Sequence, residues 1–321
     1  MPTISPITAE ARRRLSRILF GFFLFFVLSV AVELLVAVVV AVLAPELAAA
    51  PLFSWLASLM PMYLVGLPVL YLTVRDIPTE VPTQRRLRVR DFLTFLLISY
   101  ATMFCSNLLT KGINALIDLV AGNSSNSGAI DMINSSPAAY TLLFAVFLGP
   151  LVEEVIFRHI ILRRLLPFGE GFAVSVSALL FGFYHGNIAQ LLYAFLVGWI
   201  LGIVAVRTGK LIHTVLLHCS LNLLGSLPAI ILPYLEAHIP AEGADMTAAG
   251  LLASLGILVY FGIILILVAA GVILFLLRRR AFLPRPSGAP IPRGERRYLL
   301  LSVGAVAYAV AVLGLFAISF L

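Results

Sequence analysis

Nine apolar stretches dominate this chain, and each approaches or exceeds the length that a membrane-crossing helix needs. They lie near residues 18–44, 52–74, 92–120, 138–162, 171–187, 190–206, 211–233, 249–277 and 298–321. About 20 apolar residues in a helix cross the bilayer core. Composition agrees, with 61% of residues hydrophobic and 12% charged. Soluble domains carry about 25% charged residues, and no part of this chain is left for a sizeable one. The sequence therefore predicts an all-α, polytopic transmembrane helical bundle of about nine spans, surrounded by membrane lipid. The third stretch contains Lys111 and Asp118, so it is either one long helix or a span plus a short interfacial piece. The fifth and sixth are short and meet at His185-Gly186-Asn187, which reads as a tight turn or a re-entrant bend.

The net charge of +7 comes almost entirely from arginine, because Lys111 and Lys210 are the only lysines. Arginines cluster at Arg12 to Arg17, Arg75 to Arg90, Arg163 and Arg164, Arg207, and Arg278 to Arg297. If nine spans alternate, all of these fall on one side. The intervening loops 45–51, 121–137 and 234–248 have no Lys or Arg and carry Glu46, Asp131, Glu236, Glu242 and Asp245. The positive-inside rule then puts the N-terminus in the cytoplasm and the C-terminus outside. The basic charge reads as topology, not as a nucleic-acid surface. The first apolar run is longer than the roughly 7–15 residues of a signal-peptide core, so it reads as an anchor. The segment Gly122–Pro137 is Ser/Asn-rich and reads as a mobile external loop, with Asn123 and Asn134 in glycosylation patterns that matter only in a eukaryote. Cys105 and Cys219 sit in apolar runs and read as buried small residues. There is no C-x-x-C pair, which excludes a zinc ribbon.

Three polar motifs interrupt the apolar background: Glu153-Glu154-x-x-x-Arg158, Phe181-x-x-x-His185 and His218-x-x-x-Asn222. An ionisable group at bilayer depth costs about 2.5–3.5 kcal/mol or more, so such groups mark functional sites by default. Glu154 and Arg158 are one helical turn apart and form a favourable pair, suited to holding helices in register. Glu153 points about 100° away from Glu154 and has no local cation. Such a carboxylate suits a general base working near neutral pH. Gly149-Pro150 just upstream can kink the helix and free nearby carbonyls. His218 and Asn222 share a helical face and can both donate hydrogen bonds. Two such donors suit an oxyanion hole, although the same residue types also glue membrane helices together. Glu153, His185, His218 and Asn222 lie roughly 12–21 Å from the arginine-rich ends at 1.5 Å per residue, so one pocket can hold all four. Phe181 and Tyr184 either line that pocket or simply pack. Zinc ligation by Glu and His stays open, although no H-E-x-x-H occurs.

In this order and setting, the motifs resemble those of the CPBP family. That family contains the type II CAAX prenyl endopeptidases and the bacteriocin-processing or immunity membrane proteins also called Abi. The resemblance covers about residues 138–230. It divides the chain into N-terminal transmembrane helices and loops (1–137), catalytic core helices (138–230) and C-terminal transmembrane helices (231–321). It implies a glutamic-type intramembrane endopeptidase of about eight helices, in a bacterial plasma membrane. Glu153 and His185 would activate water, and His218 and Asn222 would form the oxyanion hole. Glu154, Arg158 and Phe181 would support them. No cofactor is implied, with a divalent metal such as zinc as the alternative. The partner would be a membrane-delivered peptide or a lipidated protein, and not a nucleic acid. The oligomeric state is not specified. Two other readings compete. One is a non-proteolytic bacteriocin-immunity or peptide-binding protein built on the same cluster. The other is a proton-coupled transporter, against which the lack of internal repeats counts. Glu33 is a lone carboxylate that no motif places with the others. Gly198 and Gly202 form a G-x-x-x-G pattern that reads as close helix packing.

Overall fold

In the computed structural model of the chain, residues 4–121, 132, 136–241 and 245–319 are described. The expected external loop around Asn123, Asp131 and Asn134, together with Glu242, lies outside the described residues. The helices begin with α1 (Pro6–Leu43), α2 (Pro51–Val74), α3 (Val89–Ala121), α4 (Ala138–Phe168) and α5 (Glu170–Tyr184). They continue as α6 (Ile188–Thr208), α7 (Leu211–Glu236), α8 (Ala248–Arg278) and α9 (Val303–Ile318). No strand occurs among the described residues.

The chain is a multi-pass, all-helical membrane protein, but the count of nine spans needs correction. Among the described residues, 7 helices are long and apolar enough to cross a membrane. The number rises to 8 if α9 is joined to the short helix Arg293–Leu299 across a 64° bend. Length is the reason. The 15 residues of α5 rise only about 22 Å at 1.5 Å per residue, short of a hydrocarbon core of about 30 Å. α3 is one continuous helix through Lys111, not a span plus a separate piece.

Helix ends follow local chemistry. Asn187 caps α6 by accepting the Gln190 N–H at 2.9 Å, and Thr247 and Ser302 cap α8 and α9 in the same way. α5 and α6 are joined through Gly186 at φ +67, a left-handed conformation that glycine adopts without steric cost. The two helices therefore form a hairpin. Its open ends meet where Arg207 comes within 3.6 Å of Glu170.

The arginine-bearing loops gather at one end of the bundle. Arg14 donates to Arg164 O at 3.1 Å and to Pro78 O at 3.3 Å. The Glu80 N–H donates to Arg163 O, and the Arg85 N–H to Thr208 O, both at 2.8 Å. Arg207 donates to Leu283 O at 2.9 Å. Ser287 Oγ accepts the Glu170 N–H at 2.9 Å, and the Ala289 N–H donates to Pro167 O at 3.0 Å. Glu295 in turn accepts from Ser5 Oγ at 2.5 Å. The segment after α8 is thus laced across the ends of α4, α5 and α6 and tied to the start of α1.

The interior beside the polar motifs is aromatic. Phe22, Phe25 and Phe157 are fully buried. Phe22 stacks on Phe157 at 5.8 Å, and Tyr184 meets Phe157 edge-on at 5.4 Å. Lipid supplies no hydrophobic drive between helices, so close packing has to hold them together. Gly198 and Gly202 let α6 approach α5. A Cβ at Gly198 would meet Phe181 Cδ1 at 2.8 Å, and one at Gly202 would meet Val174 at 3.1 Å.

Candidate active site

The site is organised around an irregular α4. The helix widens over Thr141–Leu148 and again over Val155–Leu162, where its bonds run in the i→i+5 register. The Gly149-Pro150 step accounts for the first widening. The Gly149 N–H reaches back to Phe144 O. The next donor in that register would serve Ala145 O, but it belongs to Pro150, which has no N–H. Asn222 of α7 takes that place, donating from Nδ2 to Ala145 O at 2.8 Å. Asn222 therefore braces α7 against α4 and keeps one amide hydrogen for other use.

Between the widened stretches, Gly149–Glu154 is regular α-helix. Glu154 has a fully buried side chain, and Arg158 is 1% exposed. Arg158 Nε lies 3.3 Å from Glu154 Oε2, one turn along α4. Arg158 Nη2 donates to Gly198 O on α6 at 3.1 Å. The guanidinium also lies 4.8 Å from the centre of the Phe181 ring and 5.9 Å from that of Phe157. Glu154 Oε2, Arg158 Nε and Arg158 Nη1 have no hydrogen-bond partner among the described residues, so the pair rests on its opposite charges, the Gly198 bond and the ring contacts.

The other oxygen of Glu154, Oε1, lies 3.0 Å from His218 Nδ1. A carboxylate facing Arg158 accepts, so His218 carries its hydrogen on Nδ1. Its Nε2 is left 3.6 Å from Glu153 Oε2. The chain Arg158–Glu154–His218–Glu153 thus sets both the tautomer and the direction of the imidazole, as a carboxylate partner does for histidine in general.

His185 ends α5, with Nδ1 2.9 Å from Phe181 O. A carbonyl only accepts, so this ring also carries its hydrogen on Nδ1 and keeps a lone pair on Nε2. His185 interacts electrostatically with both Glu153 and His218. Phe181 lies among all three motifs. Its ring centre is 5.1 Å from that of His185 and 5.6 Å from that of His218.

The structure therefore brings together Glu153, Glu154, Arg158, Phe181, His185 and His218, with Asn222 one turn along from His218. Glu33 instead links α1 to α2, accepting from Ser58 Oγ at 3.3 Å. Among the described residues, no group of three or more His, Cys, Asp or Glu converges to hold a metal ion. Three tyrosines interact electrostatically with Glu153: Tyr63 on α2, Tyr184 on α5 and Tyr193 on α6. Tyr184 follows from its place inside the second motif. Tyr63 and Tyr193 belong to no motif, although Pro61, Gly66 and Pro68 mark an irregular helix around Tyr63.

Comparison with known proteins matches the same region. A family model described as "Type II CAAX prenyl endopeptidase Rce1-like" covers residues 135–224, which includes all three motifs. A Bacillus subtilis (strain 168) protein named "Putative membrane peptidase YdiL" is 26% identical over 166 residues. That alignment covers 50% of this chain and 66% of the relative, so the chain spans just under two thirds of that protein's length. No solved structure matches the chain at the same stringency. Through this central region, the chain is similar to the type II CAAX prenyl endopeptidase Rce1-like family and to a membrane peptidase relative.

Proposed function

We propose that the chain is an intramembrane endopeptidase acting on a membrane-delivered peptide or a lipidated protein. The observation that carries this is His218, held through Nδ1 by Glu154 and presenting Nε2 to Glu153. The His185 Nε2 lone pair orients a water molecule beside Glu153. Glu153 takes a proton from that water as its oxygen attacks the scissile carbonyl. The new C–O bond forms, and the carbonyl electron pair moves onto oxygen. Glu153 shares the acquired proton with His218 Nε2, and Glu154 balances the imidazolium that results. His218 thereby becomes a donor to the oxyanion as negative charge develops, beside the remaining Asn222 N–H. The proton then passes to the leaving amine as the C–N bond breaks.

In this reading, Glu154, Arg158 and Phe181 hold the working groups in place, residues 138–230 form the catalytic core, and no cofactor takes part. The test is cleavage of a membrane-peptide library that includes prenylated C-terminal peptides, with and without EDTA. Equal cleavage in both conditions is expected. Loss of cleavage with EDTA would overturn the metal-free mechanism. Failure of the protein to cleave any peptide would favour the immunity or peptide-binding reading.

The arginine-bearing end is proposed to face the cytoplasm, with the C-terminus outside, in a plasma membrane. Single cysteines at Arg85 and Tyr234 check this. A membrane-impermeant thiol reagent added to intact cells is expected to label position 234 and not position 85. The reverse pattern would overturn the orientation.

A further inference from the structure

Until His218 gains a second proton, the remaining Asn222 N–H is the motif donor left for an oxyanion. Asn222 uses one amide hydrogen on Ala145 O, and His218 uses Nδ1 on Glu154. A further donor comes from α2, outside the matched residues 135–224. There, α2 widens to i→i+5 bonding over Met62–Gly66, between Pro61 and Pro68. Such local widening recurs at functional sites.

This widened turn presents Tyr63 to α4. The Tyr63 hydroxyl is among the atoms nearest the bare face of Gly149, 3.9 Å from where a Cβ would stand. Gly149–Glu154 is regular helix, so Glu153 lies one turn further along that same face. Tyr63 also interacts electrostatically with Glu153 and with Tyr184, which interacts with Glu153 in turn. Among the described residues, no protein group hydrogen-bonds the Tyr63 hydroxyl.

We propose that Tyr63 is a further catalytic residue, whose hydroxyl donates a hydrogen bond to the developing oxyanion from α2. This rests on the peptidase reading above. A phenol suits the place because it is a donor that keeps its hydrogen where a carboxylate is ionised. It can therefore stand beside a general base without competing for the transferred proton. Tyr63 gains and loses no proton in the reaction. Gly149, having no side chain, leaves the Tyr63 hydroxyl facing bare α4 backbone.

The test compares detergent-purified wild type, Tyr63→Phe and Glu153→Gln on one cleaved peptide. Binding of a peptide trifluoromethyl ketone, whose hydrate mimics the tetrahedral intermediate, is measured alongside. For Tyr63→Phe, kcat is expected to fall about 10²–10³-fold, as on removal of one oxyanion donor. KM should stay within about twofold, since the interaction is made mainly in the transition state. Ketone binding should weaken in parallel with kcat, and the melting temperature should not change. Wild-type kcat in Tyr63→Phe would overturn this proposal alone. A change confined to KM would also overturn it, moving Tyr63 to substrate binding. A wild type that cleaves no peptide would overturn the peptidase reading and this proposal together.

Discussion

Glu153→Gln is expected to abolish peptide cleavage while the protein stays folded. Glutamine keeps the shape of the side chain but cannot take a proton from water, and loss of a general base typically removes 10²–10⁴-fold in rate. The fold should tolerate the change for a reason visible in the site. Glu153 faces His218 Nε2 at 3.6 Å with 16% of its side chain exposed, while Arg158 pairs with Glu154. Removing the Glu153 charge therefore strands no buried cation, and stability should change by no more than about 1 kcal/mol. Single-turnover cleavage and thermal melting on the same preparation check both halves. Normal turnover by the variant would remove Glu153 from the mechanism. Loss of turnover together with unfolding would show that its role is structural.

Arg158→Ala is expected to do the opposite, damaging the fold first and activity as a consequence. It would leave the fully buried Glu154 carboxylate without its cation, and breaking a buried pair by removing one partner costs about 3–5 kcal/mol. That is a large part of the roughly 5–15 kcal/mol that holds a typical domain together. The same substitution also removes the bond to Gly198 O and the ring contacts with Phe157 and Phe181. Arg158→Lys should recover only part of the loss, because an ammonium cannot serve Glu154 and Gly198 O together in the manner of a planar guanidinium. Adding Glu154→Gln to Arg158→Ala should also recover part, since no unpaired charge remains. Chemical denaturation in detergent reads all three variants. Wild-type stability in Arg158→Ala would refute the account of this pair.

What could be read in advance depended on how far apart along the chain the partners lie. The Glu154–Arg158 pair was legible because both residues are on one helix, one turn apart. The contact between Glu154 and His218 was not, because no helical periodicity links α4 to α7. Gly149-Pro150 announced a freed carbonyl, but nothing in the sequence said that Asn222 would take it. The helical character of each apolar run was plain from hydropathy. The number of crossings was not, since α5 is as apolar as its neighbours and fails only on length. Tyr63 was missed because a lone tyrosine in an apolar span has the same signature whether it packs or acts. Only the proline and glycine residues around it hinted at a distorted turn.

Phe181 is shared by Arg158, His185 and His218, and that has a practical consequence for anyone redesigning this protein. Residues with a common neighbour do not contribute additively, and their coupling commonly reaches 0.5–3 kcal/mol. Swapping one of them to retune the chemistry would also disturb the other two through the same ring. Altered substrate choice is better sought at positions that make no contact with that ring. The chemistry and its selectivity can then be varied without disturbing one another through Phe181.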